Sequence, residues 1–212
     1  VRELPAGAIN SNTAVGYYNP EDGTRTEYNF GIIDISLPST LESLSSKDYD
    51  TWRYSNTTYP CLTVGENFVG FLWPNGCNLK KIEYWAFVQS SGMTSLTLPK
   101  SVTEYQPLGY HGLQTTEILV EEGNPKYISF GGWLFEKLGG KELKLIQIPK
   151  SYPTTDGKIV FPDTGEYKVT TIGKDAAYGM IFYYIDGQMV NPETTHLVLP
   201  EGLKIIEKEA FS

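Results

Sequence analysis

Few residues in this chain could do acid–base, nucleophilic or metal chemistry, and their spacing fits none of the arrangements that such chemistry needs. There are two histidines, His111 and His196. A zinc-binding helix would place them as His-x-x-x-His; here His111 sits beside Tyr110 before a glycine, and His196 directly precedes Leu197. The two cysteines, Cys61 and Cys77, form no Cys-x-x-Cys unit. A disulfide between them and a buried-thiol role for Cys77 both remain open. No Gly-x-Ser-x-Gly elbow or phosphate loop occurs. Paired acids such as Glu121-Glu122 and Glu207 with Glu209 fit solvated turns better than the cleft a hydrolase requires. The reading is therefore non-enzymatic, with no catalytic residues, no metal and no cofactor.

The bulk numbers narrow the partners. Over 212 residues the net charge is −8, which opposes nucleic acid, where binding rests on basic side chains neutralising phosphates, and anionic lipid. No apolar run reaches the roughly 20 residues that span a bilayer. The chain begins at Val1 rather than Met, so its natural start has been removed, by processing of a signal peptide or by truncation. Hydrophobic residues make up 40% of the chain, enough for a sizeable core without disulfide or metal help.

Internal repetition positions the side chains. An apolar-x-apolar-Pro tetrapeptide recurs at Ile35–Pro38, Phe71–Pro74, Leu96–Pro99, Ile146–Pro149 and Leu197–Pro200, with Ile118–Val120 followed by Glu121 as a sixth copy. Strands alternate faces, so the two apolar residues of each copy point inward together. Proline then ends the strand, because it cannot donate to the ladder. A second pattern follows: Leu203 to Phe211 matches Leu79 to Phe87 at each apolar anchor, with weaker copies at Val169–Ala177 and Val102–Tyr110, and a partial one at Thr63–Asn67. Gly112-Leu113 and Gly179-Met180 look interchangeable with Gly76-Cys77, which makes Cys77 a small core hydrophobe. Successive prolines are spaced irregularly: Pro74 to Pro99 is 25 residues, but Pro149 to Pro200 is 51. The longer interval implies an insertion or a doubled unit.

These motifs resemble the BspA-like leucine-rich repeat family of bacterial surface proteins. The family unit is a strand ending in Pro, followed by a Val-Thr-x-Ile-Gly-x-x-Ala-Phe-x-Gly-Cys run. Val169 to Gly179 and Leu199 to Phe211 carry it here. A longer variant runs from Val120 through Gly131-Gly132-Trp133 to Pro149; in relatives this stretch makes a β-excursion, usually with Asp where this chain has Gly131. The resemblance implies an α/β or β-rich solenoid: a leucine-rich-repeat-like right-handed superhelix of short parallel strands, short helices or turns, and β-hairpin excursions. It covers residues 35–212, with insertions near 50–62, 121–145 and 181–194. Residues 1–34 form an N-terminal segment, partly loose, with a candidate capping strand.

With no catalytic set, function falls to the surface. The middle residue of each repeated strand faces outward: Ser36, Leu72, Thr97, Leu119, Gln147 and Val198. Trp52, Tyr54, Tyr183 and Tyr184 lie in the insertions, where exposed rings stack on sugars or anchor an interface and where they equally pack an insertion onto the body. The resemblance implies a secreted or surface-anchored bacterial module that binds or adheres to a host or neighbouring-cell protein. The alternative is a surface glycan-binding accessory protein.

Overall fold

The computed structural model describes residues 2–4, 9–10, 14–18, 25–29, 34–44, 62–63, 70–83, 86–88, 94–107, 115–149, 158–177, 183–185, 188–190 and 196–211. Among them are short strands, numbered β1 to β22 in chain order, and turns. Among the described residues no helix occurs, and turns stand where short helices were expected.

The Pro-terminated tetrapeptides form a first row of parallel strand pairs. β5 (Asp34–Ser36) pairs with β8 (Gly70–Leu72), β11 (Ser95–Leu98) with β13 (Glu117–Val120), and β17 (Lys158–Val160) with β21 (His196–Val198). Register sets equivalent residues opposite one another: Leu96 faces Ile118, and Thr97 faces Leu119. Alternation then buries Leu96, Leu98 and Ile118 and turns Leu119 outward. β17 shows that Ile159-Val160-Phe161-Pro162 is a further copy of the tetrapeptide, with Ile159 opposite Leu197 and Val160 opposite Val198. It divides the 51-residue interval between Pro149 and Pro200.

A four-residue turn follows β5, β8, β11 and β13. The N–H groups of Leu41, Cys77 and Val102 donate to the carbonyls of Pro38, Pro74 and Pro99 at 3.1, 3.0 and 3.0 Å, and that of Asn124 to Glu121 at 3.2 Å. Cys77 therefore shares the slot of Leu41 and Val102; Leu113 and Met180 lie outside the described residues. Cys77 is a half-buried free thiol packed on the core.

The turns lead into a second ladder: β1 (Glu3–Leu4), β6 (Ser43–Leu44), β9 (Lys81–Ile82) and β12 (Glu104–Tyr105), all parallel. Pairing thus extends into the first 34 residues. Beyond this ladder the chain turns again, with Ala86 N–H donating to Glu83, Ala176 to Gly173 and Ala210 to Glu207. Asp175 and Glu209 hold the left-handed conformation just before the small alanine, at φ 58° and 62°. A third ladder joins β2 (Ile9–Asn10), β7 (Leu62–Thr63) and β10 (Phe87–Val88). Thr63 therefore belongs to this ladder and not to the second, where the sequence pattern had set it. Two hairpins complete the count: β3 (Ala14–Tyr18) with β4 (Arg25–Asn29), and β19 (Tyr183–Ile185) with β20 (Gln188–Val190).

The expected excursion is an antiparallel meander of β14 (Tyr127–Phe130), β15 (Trp133–Gly139) and β16 (Glu142–Gln147). β16 then pairs in parallel with β18 (Lys168–Ile172), and β18 with β22 (Ile205–Ile206), which renews the second ladder. The meander alternates its side chains between two cores. Leu134 and Ile146 join the core of Leu44, Ile82, Leu98 and Ile118. Trp133, Phe135, Leu143 and Leu145 join that of Ile159, Val169 and Ile172.

Polar groups seal the seam where the second ladder is interrupted. On the side of β12 away from β9, the Tyr105 N–H donates to the Tyr127 hydroxyl at 3.0 Å. Buried Asn124 donates through Nδ2 to the carbonyls of Pro99 and Val102 at 3.1 and 2.9 Å, and its Oδ1 accepts from the N–H groups of Lys126 and Tyr127 at 2.9 and 2.7 Å. The edge of β13 donates from Ile118 N–H to the Gly132 carbonyl at 2.7 Å and from Val120 N–H to Ser129 Oγ at 3.2 Å. The Gly131–Gly132 turn that allows this has positive φ at both residues, 54° and 79°, as tight hairpin turns of this twist demand.

Across β16, β18 and β22 an ion-pair lattice adds to the backbone bonds. Lys144 Nζ lies 2.6 Å from Glu207 Oε1, and Glu207 Oε2 accepts the Lys174 N–H at 2.9 Å. Lys204 meets Glu142. Partial burial raises the Glu207 pKa, but the bonds from Lys144 and Lys174 outweigh it and hold the carboxyl below its usual value.

Three outcomes test this fold. Leu98→Ala should cost on the order of 2–5 kcal/mol and Thr97→Ala roughly 0.5 kcal/mol or less in denaturant unfolding; equal losses would contradict the register. In Gly132→Ala, the added Cβ would lie 2.8 Å from Glu117 Cβ and 3.1 Å from its Cα at a strained φ, so the loss should be about 1–3 kcal/mol, read as a lower thermal midpoint. The Glu207 contribution is present above the unfolded carboxyl pKa of about 4.3 and is lost as pH falls through the lowered folded value. Glu207→Gln should thus cost about 0.5 kcal/mol at neutral pH, as screened pairs do, and nothing at pH about 2; a deficit unchanged by acid would contradict the ion-pair reading.

Candidate functional site

The first row of strands presents an outward column of side chains, one from each strand. Inward neighbours hold each of them in place. Thr97 stands between buried Leu96 and Leu98, and Val160 follows buried Ile159. Ser36 is exposed and Thr97 half-buried. The others are apolar yet reach solvent: Leu72 at 54%, Leu119 at 36%, Val160 at 49% and Val198 at 45% exposure. Adjacent strands lie roughly 4.8 Å apart, so each pair sets two such side chains in contact range: Thr97 with Leu119, and Val160 with Val198. Isolated exposed apolar residues need no explanation, but a row of them does.

Gln147 does not belong to this column. It pairs with Leu134 in the meander, and its Oε1 accepts the Tyr105 hydroxyl at 2.6 Å. Burial pushes the Tyr105 phenol well up, so it stays a neutral donor. β16 has β15 on one edge and β18 on the other, which leaves it no place in the first row. Val160 fills the corresponding outward position. Its signal was present in the Ile159-Val160-Phe161-Pro162 tetrapeptide.

A second outward column lies two residues earlier along the strands: half-buried Ser95 and Glu117, then exposed Lys158 and His196, the last two opposite one another in the register. Sequence reasoning attended only to the middle residue and missed these. Of the aromatic candidates, Trp52 and Tyr54 lie outside the described residues, as does His111. Tyr183 and Tyr184 sit on β19 with backbone partners Val190 and Met189; their side chains lie outside the description.

Among the described residues no group of three or more His, Cys, Asp or Glu is placed to hold a metal ion, and no helix is long and apolar enough to cross a membrane. What this surface can do is cover apolar area against another surface.

Comparison with known proteins places the architecture. No family model matches the sequence, and no curated protein matches it. Among solved structures, a leucine-rich repeat protein from Eubacterium ventriosum is similar at 20% identity over 85% of this chain and 45% of that one, with a TM-score of 0.50. The pneumococcal vaccine antigen PcpA is similar at 20% identity over 84% and 48% of the two chains, TM-score 0.47. A leucine-rich cell surface protein from Faecalibacterium prausnitzii follows at 15% identity over 82% and 41%, TM-score 0.45. The chain spans less than half the length of each. The Eubacterium likeness, together with the stacked Pro-terminated strands, gives this chain the repeat-type fold of the leucine-rich repeat proteins, in keeping with the BspA-like resemblance of its motifs.

Proposed function

We propose that this chain is a non-catalytic binding module, secreted or anchored at a bacterial surface, which attaches to a protein of a host or neighbouring cell. The observation that carries this reading is the outward apolar column Leu72, Leu119, Val160 and Val198. These side chains are held by parallel strand pairs and keep a third to a half of their surface in solvent, and burying that remainder against a partner would recover roughly 25 cal/mol for each Å² of apolar area. Repeat proteins use such extended sheet faces for protein contacts, and we read the stack as continuing as a right-handed solenoid. The surface setting follows from the BspA-like resemblance. A net charge of −8 turns the module away from polyanions.

The test is a binding comparison at physiological salt, with the purified chain immobilised and extracellular-matrix proteins and polysaccharides offered side by side. A saturable protein signal should appear. Leu119→Asp and Val198→Asp, at exposed positions, should each weaken it at least about tenfold while the thermal midpoint moves by little. A polysaccharide signal indifferent to both substitutions would overturn the reading.

A further inference from the structure

The outward face is not uniform in charge, and the difference points to a class of partner. On β17 and β21 the two valines Val160 and Val198 lie side by side. Two residues back on the same face stands the exposed ammonium of Lys158. Most lysines of the neighbouring ladder are engaged: Lys144 with Glu207, Lys174 with Glu209, Lys204 with Glu142. Lys158 makes no ion pair among the described residues. On the preceding pair the same column carries Glu117 beside Leu119. The charge two residues before the outward apolar side chain is therefore negative on β13 and positive on β17.

We propose, resting on the binding face assigned above, that the β17–β21 surface docks an extended protein segment in which an aspartate or glutamate stands two residues from an apolar side chain. The spacing decides this. Side chains two apart on a strand point the same way about 6.6 Å apart. A partner strand laid along β17 sets a carboxylate over Lys158 as its apolar side chain covers Val160 and Val198. The net charge of −8 repels a polyanion at long range. A single carboxylate inside an apolar segment meets little of that repulsion and gains the contact with Lys158. The apolar part supplies affinity and the ammonium selects sign and register.

The experiment uses the intact chain and three short fluorescein-labelled peptides, in which valine alternates with aspartate, with lysine or with serine, followed by anisotropy at low and high salt. The aspartate peptide should bind roughly three- to fivefold more tightly than the lysine peptide at low salt, as a partly exposed pair allows, and the preference should shrink at high salt. Lys158→Glu should reverse the order, whereas Lys80→Glu, on another unit, should leave it unchanged. Equal binding of all three peptides, abolished by Val198→Asp, would overturn the acidic-partner inference and leave the binding face standing. Binding of no peptide, or binding untouched by Val198→Asp and its milder companion Val198→Ser, would overturn both.

Discussion

Every strand in this protein is too short to stand alone, so the structure depends on giving each strand edge a hydrogen-bonding neighbour. A buried N–H or C=O left unpaired costs about as much as a lost hydrogen bond or more. Two-residue strands such as β6 and β9 meet the requirement by stacking on the unit before and after. The difficulty arises where the meander interrupts the stack. There the Tyr127 hydroxyl, the Gly132 carbonyl and Ser129 Oγ accept the N–H groups that a neighbouring strand would have taken. Asn124 uses both ends of its amide for the same purpose. The glycine pair at the tip is required by the same constraint: a side chain at Gly132 would push the accepting carbonyl away from β13.

This division explains what was legible in the sequence. The first row was readable because strand periodicity and a terminating proline are local signals, carried by runs such as Leu96-Thr97-Leu98-Pro99. The excursion was readable through its motif. Membership of Gln147 in the first row was not, because Ile146-Gln147-Ile148-Pro149 has the local pattern while its partners are fixed by the meander. Conversely, Ile159-Val160-Phe161-Pro162 has the pattern and the place, and was hidden by the long interval around it. The outward position of Leu72, Leu119 and Val198 followed from alternation alone. The charged neighbours Glu117 and Lys158 gained meaning only from the register that sets them beside the apolar column.

Fold and candidate function share the same side chains in different directions. The inward residues of the first row fix the outward ones, so the outward face inherits its geometry from the core.

The meander has a consequence for how the molecule yields. An array of units that touch only their neighbours frays from its ends, because each junction can open alone. Here Leu134 and Ile146 are held in one core while Trp133, Phe135, Leu143 and Leu145 are held in the other. Separating the halves means withdrawing side chains from both at once. The excursion therefore acts as a rivet: tension applied along the stack would load the two halves together instead of peeling them apart in turn.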